Sequence, residues 1–288
     1  MTICPPYKTG WPTQNAFNAA RPNNFGRFSD IYVVRPNLNS HYNAGIVQYQ
    51  HRFSHGFQFL SNYTFGKTVS DYPVQNNDVG GDIILGDDSG FQYPNIFNRG
   101  ETDFSHRHRF VYSGIWQPLY GAGWSEWAKV PLTGWRLSAI GTLESGDKFT
   151  IVNMQTTAAD YAGLDELSIL PRVNPNYGHG QRTFSQQFNV NDFTVPANGV
   201  RGNSGLGTIR GPGQNNIDLS LAKTFPIYER LHVEFRADAF NAFNHTQWNG
   251  TQTVYPYAAV GNYGNLPFGQ VTGAREARIT QLALKVVF

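Results

Sequence analysis

The stretch from Gln214 to Asn244 changes character at every second residue. Leu231, Val233, Phe235, Ala237 and Ala239 are apolar, and His232, Glu234, Arg236 and Asp238 between them are polar or charged. A period of two puts these two sets on opposite faces of a strand. Ile217, Leu219 and Leu221 alternate likewise with Asp218, Ser220 and Ala222, and the connection from Pro226 to Arg230 predicts a β-hairpin. One face then holds more ionisable groups than a dry core accepts, while the other is apolar with no evident partner layer. A wall between lipid and water satisfies both demands.

The alternation recurs along the chain. Val47, Tyr49, His51 and Phe53 alternate with Gln48, Gln50 and Arg52; Ser-His-Gly turns the chain, and Phe57, Phe59, Ser61, Tyr63 and Phe65 alternate with Gln58, Leu60, Asn62 and Thr64. Further strands are expected at Arg109 to Gln117, at Trp135 to Glu144, and at the terminus, where Leu282, Leu284, Val286 and Phe288 share a face opposite Gln281, Ala283 and Lys285. Residues 1–40 read as a loop-rich segment with one weak strand over Phe28 to Arg35, and 41–288 as the barrel portion.

Connections between these strands alternate in length. The segments Asp71 to Ser105, Thr150 to Gly213 and His245 to Glu276 are long, and the intervening ones are short or medium. Outer-membrane barrels pair short periplasmic turns with long extracellular loops in this way. Starting downward at His41, seven strands bring the C-terminus to the periplasmic rim. The expected fold class is all-β: an antiparallel transmembrane β-barrel segment of about seven to eight strands.

Composition supports this reading. Aromatic residues make up 15% and charged residues only 15%, with 30 Gly and 16 Pro, which suits a turn-rich β protein. No run approaches the roughly 18 apolar residues of a membrane helix, a test that barrel strands escape. A net charge of +2 gives no reason to expect nucleic acid as a partner. Cys4 is the lone cysteine, so there is no disulfide framework. The start, MTICPPYKTGWP, has neither a basic nor an apolar region of a secretory signal, and the expectation is that further sequence precedes it.

The strings RHRFVYSGIW, GWRLSAIGTLESGDKF, RGPGQNNIDLSLAKTF, ERLHVEFRADAFNAFNH and FGQVTGAREARITQLALKVVF resemble the C-terminal barrel of TonB-dependent outer-membrane receptors. The subgroup is the Oar-like kind, which carries a carboxypeptidase-regulatory-like domain. That resemblance, over His41 to Phe288, implies a 22-stranded barrel with an N-terminal plug, importing a bulky carbohydrate, peptide or siderophore on energy delivered by TonB. The plug, the TonB-contacting segment and about fifteen strands have no counterpart here. TonB is therefore expected as a partner only through a missing plug domain. Outer-membrane lipid and the barrel-assembly machinery are the other expected partners, with Phe288 resembling the terminal residue that such machinery reads.

Candidate chemistry is sparse. His106 and His108 sit at a strand start and could ligate a metal, but no third ligand is placed, so the expectation is no metal. Asp78, Asp82, Asp87 and Asp88 lie in a Gly-rich loop without the spacing of a calcium site. Gly202 to Gly207 lacks the strand and helix of a phosphate loop and reads as a turn cluster. No nucleophile, metalloprotease or paired-carboxylate motif occurs, so neither catalysis nor a cofactor is expected. Tyr72, Tyr93, Trp248, Tyr255 and Tyr257 fall in the outer loops, where they could stack on a sugar or peptide or simply pack. Two other architectures fit the alternation: a self-contained eight-stranded outer-membrane barrel, and a secreted carbohydrate-binding β-sandwich.

Overall fold

The structure is a computed structural model that describes residues 39–71, 99–121, 123–153, 168–178, 180–196, 202–228, 231–255 and 267–288. Seven long strands form its frame: β1 (Ser40–Ser54), β2 (Phe57–Ser70), β3 (His108–Trp116), β4 (Trp135–Glu144), β5 (Gln214–Tyr228), β6 (Leu231–Phe240) and β7 (Ile279–Val287). Each is hydrogen-bonded to the next in chain order and every such pairing is antiparallel, giving a single meander, with Gly100–Glu101 added beside the end of β2. The weak strand expected over Phe28 to Arg35 lies outside the described residues.

Register confirms the two faces. Across β4, β5, β6 and β7, Leu137, Leu221, Ala237 and Leu282 stand in one row, and Ala139, Leu219, Ala239 and Thr280 in the next. Toward β1 the same face carries Trp116 opposite Phe57, Phe110 opposite Tyr63, and Val47 opposite Tyr63 from the other side. The opposite face holds most of the charges, and several of them are paired. Arg109 lies 3.4 Å from Glu144, Arg136 reaches across β5 to Glu234 at 3.3 Å, and Arg236 donates to Asp238 at 2.8 Å. Among the described residues no second sheet covers the apolar face, as a β-sandwich would require.

Local chemistry explains the turns. His55 and Gly56 both have positive φ, at 50° and 77°, which is the twist a two-residue hairpin needs. A Cβ on Gly56 would lie 2.0 Å from the Gln117 carbonyl oxygen, so the close approach also demands glycine. Strand β5 runs further than the sequence implies, through Pro226 to Tyr228, with a register shift between those two residues. Proline is tolerated because β4 begins at Trp135, opposite Lys223, so the β4 side of β5 is no longer laddered at Pro226. The β3–β4 connection contains a helix that alternation could not reveal, α1 (Glu126–Leu132).

Strands β1, β3, β5 and β7 all run toward the end that carries these short turns, so the two edge strands are parallel to each other in direction. They are not paired in the described residues. The three long connections lie together at the opposite end.

Candidate functional site

At that opposite end the loops fold on one another into a cap. Lys148–Phe149 pairs with Ile209–Arg210, Ser168–Ile169 with Phe193–Thr194, and Trp248–Thr251 with Val271–Ala274. A parallel bridge of Val152–Asn153 with Val254–Tyr255 ties the second long loop to the third. Ile151, Phe188 and Ile209 are fully buried there, surrounded by Phe149, Val190, Phe193, Val195, Tyr255 and Phe268. The rings of Phe188, Phe193 and Phe268 meet edge to face at 5.2–6.1 Å, a geometry that suits aromatic quadrupoles.

The first loop is clamped to the second through Glu101. Its buried carboxylate accepts from Arg107 Nη2 at 2.9 Å, Arg210 Nη2 at 2.8 Å and Ser105 Oγ at 3.0 Å, with Lys148 Nζ at 3.5 Å. Burial alone would raise its pKa, but the Arg107 hydrogen bonds and the charges of Lys148 and Arg210 outweigh it and hold the carboxyl at about 2. Burial pushes Lys148 and Arg210 down from their ordinary values, with Glu101 opposing the shift in each. Arg210 also donates to the carbonyls of Ser105, at 3.2 Å, and Gly146, at 2.8 Å. The cluster Gly202 to Gly207 serves this clamp: Gly207, at φ 63°, brings its backbone so close to the Glu101 carbonyl that a Cβ would lie 2.0 Å from the oxygen.

Beside the cap, on the charged face, a cleft of about 400 Å³ opens at the ends of β5, β6 and β7. Gln214, Asn216 and Asp218 line one wall, Phe240 and Ile279 the floor strands, and Gln247, Arg275 and Glu276 the cap side. Some of these groups are committed to structure. Gln247 accepts from the Asn215 backbone N–H at 2.8 Å and donates to its carbonyl; Asn241 donates to the carbonyls of His245 and Glu276 at 3.1 and 3.3 Å. Arg275 and Glu276 are exposed, and no side-chain partner for either is seen among the described residues.

Of the loop aromatics expected to meet a solute, Trp248 packs edge-on to Phe184 at 6.4 Å and Tyr255 to Phe268 at 5.4 Å. Tyr72, Tyr93 and Tyr257 lie outside the described residues, as do Asp78, Asp82, Asp87 and Asp88. His106 and His108 diverge: Nδ1 of His106 lies 2.7 Å from the Ser145 carbonyl, while Nδ1 of His108 lies 2.8 Å from the Tyr63 hydroxyl. Glu101, Lys148 and Arg210 have no signal in the sequence, because residues brought together from the two ends of one loop and from another share no period.

Residues 5–281 match the family described as an outer membrane beta barrel domain. The chain belongs to this family. No curated protein and no solved structure matches it. Family membership and the single antiparallel meander together make it an outer-membrane protein, and in barrels of this kind the apolar face meets lipid while the polar face lines the interior.

Proposed function

We propose that this chain supplies strands and outer loops to a larger TonB-dependent receptor barrel that takes up a bulky carbohydrate, peptide or siderophore. The observation that carries the proposal is the direction of the sheet edges. Because β1 and β7 run the same way, direct pairing would be parallel, and antiparallel closure needs an odd number of further strands. Fifteen more would complete the 22 that the receptor resemblance implies. One more would give a small barrel filled by its own side chains, with no room for a bulky solute.

The cleft fits the substrate class. Carboxamide, carboxylate and guanidinium groups beside the Phe240 ring match a solute with many hydroxyl or amide groups. In this reading the role is transport without catalysis. Phe288, exposed just beyond β7, acts in this reading as the mark taken up by the barrel-assembly machinery. Solute accumulation should vanish when TonB is removed from cells carrying the full receptor. Uptake by cells that lack TonB and express only these 288 residues would overturn the proposal.

A further inference from the structure

The connection between β3 and β4, residues 117–134, is long for the short-turn end of an outer-membrane barrel. It carries α1 and a set of outward-facing apolar side chains. Trp127 is 81% exposed and Leu119 70%, and Tyr120, Trp124, Val130 and Leu132 are exposed as well. In water such a surface is unfavourable by roughly 25 cal/mol for each Å² of apolar area, and nothing else among the described residues covers it.

Its attachment to the wall says which side it occupies. Trp135, Lys223 and Phe225 lie on the apolar face, as the pairings Lys223↔Trp135 and Lys223↔Phe235 require. The Trp135 indole N–H donates to the Pro131 carbonyl at 2.9 Å, and the Lys223 ammonium donates to the Thr133 carbonyl while lying 5.1 and 5.2 Å from the centroids of the Trp135 and Phe225 rings. Lys223 is almost completely buried. An ammonium on a lipid-facing strand has to reach polar groups at the membrane boundary. Here the returning end of α1 supplies those groups, so the connection lies against the apolar face where the hydrocarbon ends.

We propose that residues 117–134 form an interfacial anchor, with α1 lying in the headgroup region of the periplasmic leaflet and Trp124 and Trp127 reaching toward the acyl chains. The occupant is phospholipid, because the exposed apolar surface continues the lipid-facing wall through Trp135 and Phe225. Lys223 marks the depth of the boundary. The connection thereby fixes the height at which this side of the barrel sits in the bilayer.

The test uses the full-length polypeptide with Cys4→Ser, assembled in phosphatidylethanolamine and phosphatidylglycerol vesicles. A spin label at Trp127→Cys should collide readily with oxygen and poorly with a water-soluble nickel complex, whereas one at Tyr177→Cys in the cap should show the reverse preference. Equal nickel accessibility at the two positions would place α1 in water and overturn the proposal, and protection from both reagents would do so by placing it against protein. Should the cysteine variant fail to assemble, quenching by brominated phospholipid serves instead. Trp127→Phe should remove a quenched share of tryptophan emission and Trp248→Phe should not; an unchanged quenched share in Trp127→Phe overturns the proposal.

Discussion

The wall and the cap are built from the same chain for different surroundings. Strands β1 and β7 are exposed on both faces over nearly their whole lengths, whereas Ile151, Phe188 and Ile209 in the cap have no exposed surface. A soluble fold would have reversed this, burying the regular strands and leaving the loops wet. The wall leaves its apolar layer to be covered by lipid, so its stability belongs jointly to protein and bilayer. The cap works in water and has to carry its own core and its own ion pairs.

The largest expected effect lies in the cap. Truncating Phe188 to Ala removes a fully buried ring from between Phe193 and Phe268, and such changes cost about 3–5 kcal/mol. Deuterium exchange of peptides in the 148–210 region should accelerate, while the wall keeps its protection and its heat-modifiable migration. Loss of both together would mean that the two regions fold as one cooperative unit.

In the wall, neighbouring residues should behave in opposite ways. Leu282 is 71% exposed on the apolar face, opposite Ala237, and Leu282→Arg should cost about 2–4 kcal/mol near the bilayer midplane. Gln281 faces the charged side opposite Asp238, and Gln281→Arg should be close to neutral. Phe235 shares the apolar face but pairs with Lys223, nearer the boundary, so Phe235→Arg should cost less than Leu282→Arg. Urea unfolding of the assembled protein in vesicles gives the order; equal costs at 281 and 282 would remove the lipid assignment of the face.

Acid separates the regions next. Glu101 is held at about 2, below its ordinary 4.5, so its contribution is complete above the ordinary value and is lost as pH falls through about 2. At roughly 1.4 kcal/mol per unit, the shift amounts to about 3 kcal/mol. Protease resistance of the cap should therefore weaken between about pH 4.5 and 2, and Glu101→Gln should weaken it already at neutral pH while flattening that dependence. A cap whose acid sensitivity is unchanged by Glu101→Gln owes it to other carboxylates.

What could be read beforehand follows from how each region encodes itself. The wall repeats every two residues, so Leu231, Val233 and Phe235 declare their face without knowledge of any neighbour, and all seven strands were legible with their order. The cap joins Glu101 of the first long loop to Lys148 and Arg210 at the two ends of the second, and their association depends on closures that no local pattern records. Pro226 misled by its usual meaning: it signals a turn, yet it sits in β5 beyond the point where β4 begins. Helix α1 lacked the length for a readable helical period, and its exposed Trp127, Val130 and Leu132 reverse the polar exterior that a short connecting helix leads one to expect.

The smallest effect asks how wet the charged face is. Arg136 and Glu234 meet at 3.3 Å across the intervening strand, with side chains 44% and 27% exposed. In a water-filled interior such a pair resembles a surface salt bridge, and a double-mutant cycle with Arg136→Ala and Glu234→Ala should give a coupling of about 0.2–1 kcal/mol that shrinks with added salt. Under a protein plug, or in a small barrel packed with its own side chains, the same pair would be desolvated. Removing one partner would then strand a buried charge, and single substitutions would each cost about 3–5 kcal/mol. A weak, salt-sensitive coupling therefore belongs with a wide aqueous lumen at this height. A strong, salt-insensitive one belongs with a filled interior, and repeating the cycle with and without a plug-bearing N-terminal region distinguishes a plug from self-filling.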